Sequence, residues 1–144
     1  MKARTMAAVL AAMTMAATVS YGSNGSGGVE VSERLLDAMS MVESGSNDNA
    51  KGKSGETGRY QISQIYLDDA NRFLGTSYSL EEMTDPEKAK KVVTAYLSHY
   101  AANVKDREVT DEILARIHNG GPRGYLKEST LAYWNKVKGN MSEE

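Results

Sequence analysis

The sequence predicts a mainly α-helical fold, a small globule with little or no β-structure. Two observations carry this. Apolar residues recur at three- and four-residue steps in five successive segments. Those segments are bounded by residues that start or stop helices, among them Ser32, Asp85-Pro86, Gly75 and the run Asn119-Gly120-Gly121-Pro122. A chain of 144 residues, 40% hydrophobic and 25% charged, suits one ordinary domain around one core.

Residues 1–22 read as a secretory signal peptide. Lys2 and Arg4 precede an uncharged run, 5–21, that closes on small residues. The run is also about as long as a bilayer-spanning helix, so an uncleaved anchor is the alternative. Export places the remainder in the periplasm or outside the cell. Residues 23–28, all Gly, Ser or Asn, bury no apolar surface and form a flexible linker. The folded unit is expected over 29–139, followed by an acidic tail, 140–144.

Within that unit the first helix is predicted over 30–43, with Ser32 at its start and Val31, Leu35, Leu36, Met39 and Val42 along one stripe. Residues 44–58 are rich in Gly, Ser, Asn and Lys and form a loop, of a length that usually has a function. A second helix is expected over 59–74, from the stripe Tyr60, Ile62, Ile65, Tyr66, Ala70, Phe73 and Leu74, stopped by Gly75. Asp85-Pro86-Glu87 opens a third, continued by Ala89, Val92, Val93, Tyr96, Leu97 and Tyr100. A fourth runs over 111–117 and a fifth over 129–137. Tyr133 and Trp134 in the fifth are assigned to packing, with room for one of them to line a cleft.

Composition removes several functions. The chain has no cysteine, which excludes disulfides, thiolate metal sites, a cysteine nucleophile and a lipidated cysteine anchor. With 17 basic against 19 acidic residues and no Lys/Arg block, nucleic acid is not an expected partner. Loss of Lys2 and Arg4 makes the mature domain more acidic still. No metal or other cofactor is expected: Lys51 and Lys53 interrupt the one oxygen-rich loop, and His99 and His118 are too far apart for a zinc motif.

Glu43 is the first candidate for chemistry. At roughly 100° per residue it falls beside the stripe of Leu36, Met39 and Val42, so its carboxyl is aimed toward apolar surroundings. A carboxyl so placed keeps its proton more readily and can donate it to a leaving oxygen, as cleavage of a glycosidic bond requires. The alternative is a helix-ending glutamate in water.

Three segments in order carry a resemblance: Val42-Glu43-Ser44-Gly45; Gly58-Arg59-Tyr60-Gln61-Ile62; and Ala115 through Gly124, with its HNGGPRG run, followed by Ser129-Thr130 and Tyr133-Trp134-Asn135-Lys136-Val137. Together they resemble invertebrate-type lysozymes, also called destabilases. More loosely, they are similar to soluble lytic transglycosylases and goose-type lysozymes. The resemblance covers residues 35–137 and implies a lysozyme-like helical fold. It implies that Glu43 is the catalytic acid of a muramidase that cleaves the MurNAc-GlcNAc β-1,4 bond of peptidoglycan, its partner. By the same match Ser44, Gln61, His118, Asn119 and Gly120 are expected to bind the glycan.

Two departures stand out. The family is rich in disulfides and this chain has none, so helix packing has to replace them. The family's second acid has no unambiguous counterpart. Glu56 and Asp48 are the candidates, and Glu56 is preferred because its turn leads into the expected cleft wall. With neither, Glu43 acts alone, and attack by the substrate's own 6-hydroxyl gives the anhydromuramic ends of a lytic transglycosylase. A non-catalytic module that binds cell-wall glycan is the third alternative. Nothing in the sequence sets the oligomeric state, and no stable membrane insertion is expected once the leader is cleaved.

Overall fold

Helix α1 (Glu33–Ser44) starts where Ser32, in extended conformation, accepts the Leu35 N–H on its hydroxyl at 3.2 Å, and it ends at Gly45. The computed structural model describes residues 28–141. The expected leader, residues 23–27 of the linker and residues 142–144 of the tail lie outside the described residues.

Four further helices follow: α2 (Gln64–Leu74), α3 (Pro86–Ala101), α4 (Asp111–Gly120) and α5 (Leu131–Asn140). Short 3-10 turns at Leu80–Thr84, Gly124–Leu126 and Glu128–Thr130 connect them. Among the described residues, β-structure is limited to two isolated bridges, Lys51 with Thr57 and Thr57 with Ile62. The mainly α expectation therefore holds. Several boundaries moved, and three of the moves matter for the site.

The expected second helix starts at Gln64 instead of Arg59. Residues 57–62 form a tight turn in which Thr57 and Ile62 exchange both N–H···O bonds at 3.0 Å. Two residues inside it adopt left-handed backbone, Gly58 with φ 82° and Gln61 with φ 49°, which a helix cannot contain. Tyr60 and Ile62 are buried as expected, but from the turn. Ile65, placed in the apolar stripe from its spacing, is 78% exposed because the helix phase begins afresh at the Ser63 cap. Helix α4 runs on to Gly120 where a stop at Ile117 was expected, so His118 and Asn119 occupy its last turn. Helix α5 begins at Leu131, two residues late, after Thr130 is drawn into hydrogen bonds with the Gly124 and Lys127 carbonyls at 2.8 Å.

Helix α3 packs against both α2 and α4, while α5 packs across α1 and α4. Leu36, Met39, Leu67, Val92, Val93, Leu97, Leu114, Ile117 and Val137 fill the space between them, each buried. At roughly 1.5–3 kcal/mol per large apolar side chain, this single core is what holds the chain without a disulfide. The ends of α1 and α4 come to the same side of it, facing the 57–62 turn and the start of α2.

Gly58 locks that turn in place. A Cβ there would run into the carbonyl oxygen of Met83, and its own carbonyl accepts both the backbone N–H and the side-chain amide of Gln61, at 3.0 and 2.9 Å. Gly58→Ala is expected to lower unfolding stability by roughly 2–4 kcal/mol, from left-handed strain and collision with backbone that has no freedom to move. Urea unfolding followed by circular dichroism measures it; a loss under about 1 kcal/mol would mean that the turn is not fixed as described.

Candidate functional site

The last turn of α1 delivers Glu43, the last turn of α4 delivers His118 and Asn119, the loop delivers Glu56 and Gln61, and the start of α2 delivers Ser63 and Tyr66. These seven residues line one cavity of about 360 Å³. Two larger hollows lack this convergence. One, of about 610 Å³, is a largely apolar trough edged with lysines between Leu74, Tyr78 and α3. In the other, of about 520 Å³, the carboxylates of Asp111 and Glu112 are already paired with Arg34 and Arg116.

His118 is the centre of the site. Its side chain is 4% exposed, and Nε2 lies 3.2 Å from the Tyr60 carbonyl and 3.3 Å from Glu43 Oε1. A carbonyl oxygen only accepts, so Nε2 bears the proton and donates. Nδ1 then accepts from the Tyr66 hydroxyl at 3.0 Å. Tyr66 is suited to donating, because burial pushes its phenol well above the ordinary range and it keeps its proton. Its ring stacks on Tyr96 at 3.6 Å, which fixes the direction of the hydroxyl. The bonds to Tyr66 and the Tyr60 carbonyl fix the ring beside the Glu43 carboxyl, whose side chain remains 20% exposed.

The loop acids part company. Glu56 lines the cavity, with Oε2 accepting the Ser54 N–H of its own turn at 3.1 Å. Gly52 makes room for it: a Cβ at that position would collide with Glu56 Oε2 and approach Gln61 Oε1 to 2.8 Å. Asp48 is engaged elsewhere, 2.6 Å from Arg59 Nε, and does not line the cavity. That carboxylate holds the Arg59 guanidinium above its usual range.

The expected glycan-binding residues divide as well. Gln61, His118 and Asn119 line the cavity, whereas Ser44 and Gly120 do not. The Ser44 hydroxyl donates to the Arg59 carbonyl at 2.8 Å and accepts the Asn47 N–H at 3.0 Å, tying both ends of the loop to α1. Gly120 lies against Thr130, where a Cβ would come within 2.5 Å of its methyl group.

Sequence reasoning missed Ser63 and Tyr66. Tyr66 looked like core, and it is; only its hydroxyl reaches the site. Tyr133, assigned to packing with room for it or Trp134 to line a cleft, is 9% exposed, and burial together with the charge of the Glu43 carboxylate pushes its phenol well up. Trp134, its neighbour, turns to the opposite hollow beside Arg34. Among the described residues no group of three His, Asp or Glu side chains converges as metal ligands would.

The sequence model of the destabilase family matches residues 32–140. The lysozyme of Meretrix lusoria is 36% identical over 115 residues, 78% of this chain and 91% of that protein. The lysozyme of Ostrea edulis is 40% identical over 94 residues, 60% of this chain, and the chain spans only 61% of that protein's length. In three dimensions the chain is similar to Meretrix lusoria lysozyme in its crystal complex with Aeromonas hydrophila PliI, with a TM-score of 0.66 and 33% identity, covering 76% of this chain and 89% of that one.

Three of the buried tyrosines predict a pH dependence. Tyr66 and Tyr133 are raised well above, and Tyr96 to about 12. In the unfolded chain each titrates near 10, so above that pH the folded state holds protons the unfolded state has lost, and stability falls as pH rises. Stability is expected to be flat in these residues below about pH 10 and to drop above it by about 1.4 kcal/mol per pH unit for each tyrosine. Urea unfolding between pH 8 and 11 checks this, with Tyr96→Phe expected to remove one tyrosine's share of the slope.

Proposed function

The chain belongs to the destabilase family, and from that premise we propose that it is an exported peptidoglycan muramidase, cleaving the MurNAc-GlcNAc β-1,4 bond with Glu43 as general acid. One observation supports this above the others: the Glu43 carboxyl opens onto a polar cavity, with His118 Nε2 3.3 Å from its Oε1. In the reaction the Glu43 proton passes to the glycosidic oxygen as the bond to C1 breaks, and the bond electrons stay with the departing sugar. His118 keeps the carboxyl turned toward the cavity. Gln61, Ser63 and Asn119 offer amide and hydroxyl groups to sugar hydroxyl and acetamido groups.

Glu56 is the second carboxylate of this reading, because it shares the cavity with Glu43 and Asp48 does not. Its place is to activate water or to balance the positive charge that develops at C1. The hydrogen bond from Ser54 N–H to Glu56 Oε2 favours a second reading, a lytic transglycosylase. With Glu56 held by its own turn, Glu43 acts alone, and the 6-hydroxyl of the muramic residue attacks C1. A peptidoglycan-binding module without activity is the third.

Export rests on the leader, and among the described residues no helix is long and apolar enough to cross a membrane. Lysozyme from Meretrix lusoria has been crystallised with an inhibitor bound. We extend an inhibitor of that kind to this chain as a partner, alongside the glycan strand.

Mass spectrometry of purified peptidoglycan digested with the protein separates the readings. Reducing muramic ends are expected; anhydromuramic ends would instead mean a transglycosylase, and binding without products a module. Glu43→Gln is expected to slow cleavage about a thousandfold while glycan binding stays within about twofold. Equal activity in that variant would remove both enzyme readings. Glu56→Gln is expected to slow hydrolysis by about tenfold or more. Asp48→Asn is expected to loosen the loop, seen as a lower melting temperature, with the rate nearly unchanged.

A further inference from the structure

The hydroxyl of Tyr133 is buried and has no hydrogen-bond partner among the described residues, although its side chain is only 9% exposed. An orphaned buried hydroxyl destabilises a fold relative to phenylalanine of the same shape, so its retention calls for a reason. Tyr133 sits in the first turn of α5, its ring 6.3 Å from the His118 ring. The Glu43 carboxylate is close enough for its charge to help hold the phenol proton in place. His118 Nε2 lies 3.3 Å from Glu43 Oε1 and gives its hydrogen bond to the Tyr60 carbonyl.

We propose that Tyr133 is a positioning residue for Glu43: its hydroxyl, without a partner in the resting site, donates to the Glu43 carboxylate that forms as the acid gives up its proton. This rests on the assignment of Glu43 as general acid. In that step the Glu43 O–H bond breaks and an O–H bond forms on the departing sugar. The C1–O electron pair stays on that oxygen, and Tyr133 keeps its own proton throughout. An interaction that strengthens as charge develops lowers the barrier more than it tightens substrate binding. Burial makes the phenol a donor only, which is the property required.

The charged and titratable groups that face Glu43 are His118 from α4, Tyr66 from α2, Glu56 from the loop and Tyr133 from α5. Tyr133→Phe removes one oxygen and leaves the other three in place. The expected result is a melting temperature equal to or above that of the unaltered protein, kcat lower by about 10- to 100-fold, and KM within about twofold. Loss of a donor to the carboxylate disfavours its charged form, so the alkaline limb of the pH–rate profile moves to higher pH. Placed in a Glu43→Gln background, the same change is expected to have no further effect on the residual rate.

A carboxyl titration by ¹³C NMR, with Glu43 assigned through Glu43→Gln, reads the contact without any turnover. An upward move of the Glu43 midpoint in Tyr133→Phe supports the proposal even if the unaltered protein cleaves no glycan, an outcome that would remove only the enzyme readings. An unmoved midpoint overturns it, as does a fall in kcat that tracks a lower melting temperature.

Discussion

His118 is where four parts of the chain are joined by directional bonds. The imidazole has two nitrogens in one plane, and here both are committed, Nδ1 to Tyr66 and Nε2 to the Tyr60 carbonyl, with Glu43 Oε1 3.3 Å from Nε2. Because the carbonyl accepts and the phenol donates, one tautomer satisfies every partner. The order of donors and acceptors then runs in a single sense from the Tyr66 hydroxyl through the ring to the Tyr60 carbonyl. Displacing the ring from the end of α4 would leave a buried phenol and a carbonyl without partners at once. The positions of the α1 end, the 57–62 turn and the start of α2 therefore depend on one another through this ring.

The loop is held by polar means, in a chain without cysteine. Ser44 reaches the Arg59 carbonyl, the Arg59 guanidinium reaches Asp48, and Lys51 donates to the buried Thr57 hydroxyl at 3.0 Å. No single one of these contributes much, since the Arg59 and Asp48 side chains are both partly exposed and such pairs are weak. Their effect is combined, because each fixes a residue that the next one needs. Gly52 and Gly58 complete the arrangement by admitting side-chain and backbone oxygens where a Cβ would sit.

The same region carries features that favour neither stability nor local propensity. Gln61 adopts a left-handed backbone, which costs a non-glycine residue about 1 kcal/mol or more, and so aims its amide at the loop and cavity. The Tyr133 hydroxyl is buried without a partner, and a carboxyl is kept beside it on the wall of the core. Elsewhere the core is apolar and well satisfied, so these departures gather around Glu43.

The helices were legible in the sequence because their causes are local. The 3.6-residue period, the Ser32 and Asp85 caps and the stop at Gly75 act within a few residues, and the structure uses all of them. Glu43, Gln61, His118 and Asn119 were also found there, as motif residues in a fixed order. The start of α2 was not legible, since the turn before it depends on the Met83 carbonyl lying against Gly58 and on left-handed backbone that no apolar spacing announces. Nor were the roles of Asp48, Ser44 and Gly120, whose partners are selected by packing. The donors that surround Glu43 lay furthest from view: Tyr66 and His118 meet across 52 residues of sequence, and Tyr133 arrives from the last helix. Sequence alone determined which residues could carry the chemistry and which segments would be helical, because those are properties of side chains and of short-range backbone bonds. Only the tertiary structure decided which of the polar groups face Glu43, because that depends on how α1, α2, α4 and α5 are set around one core.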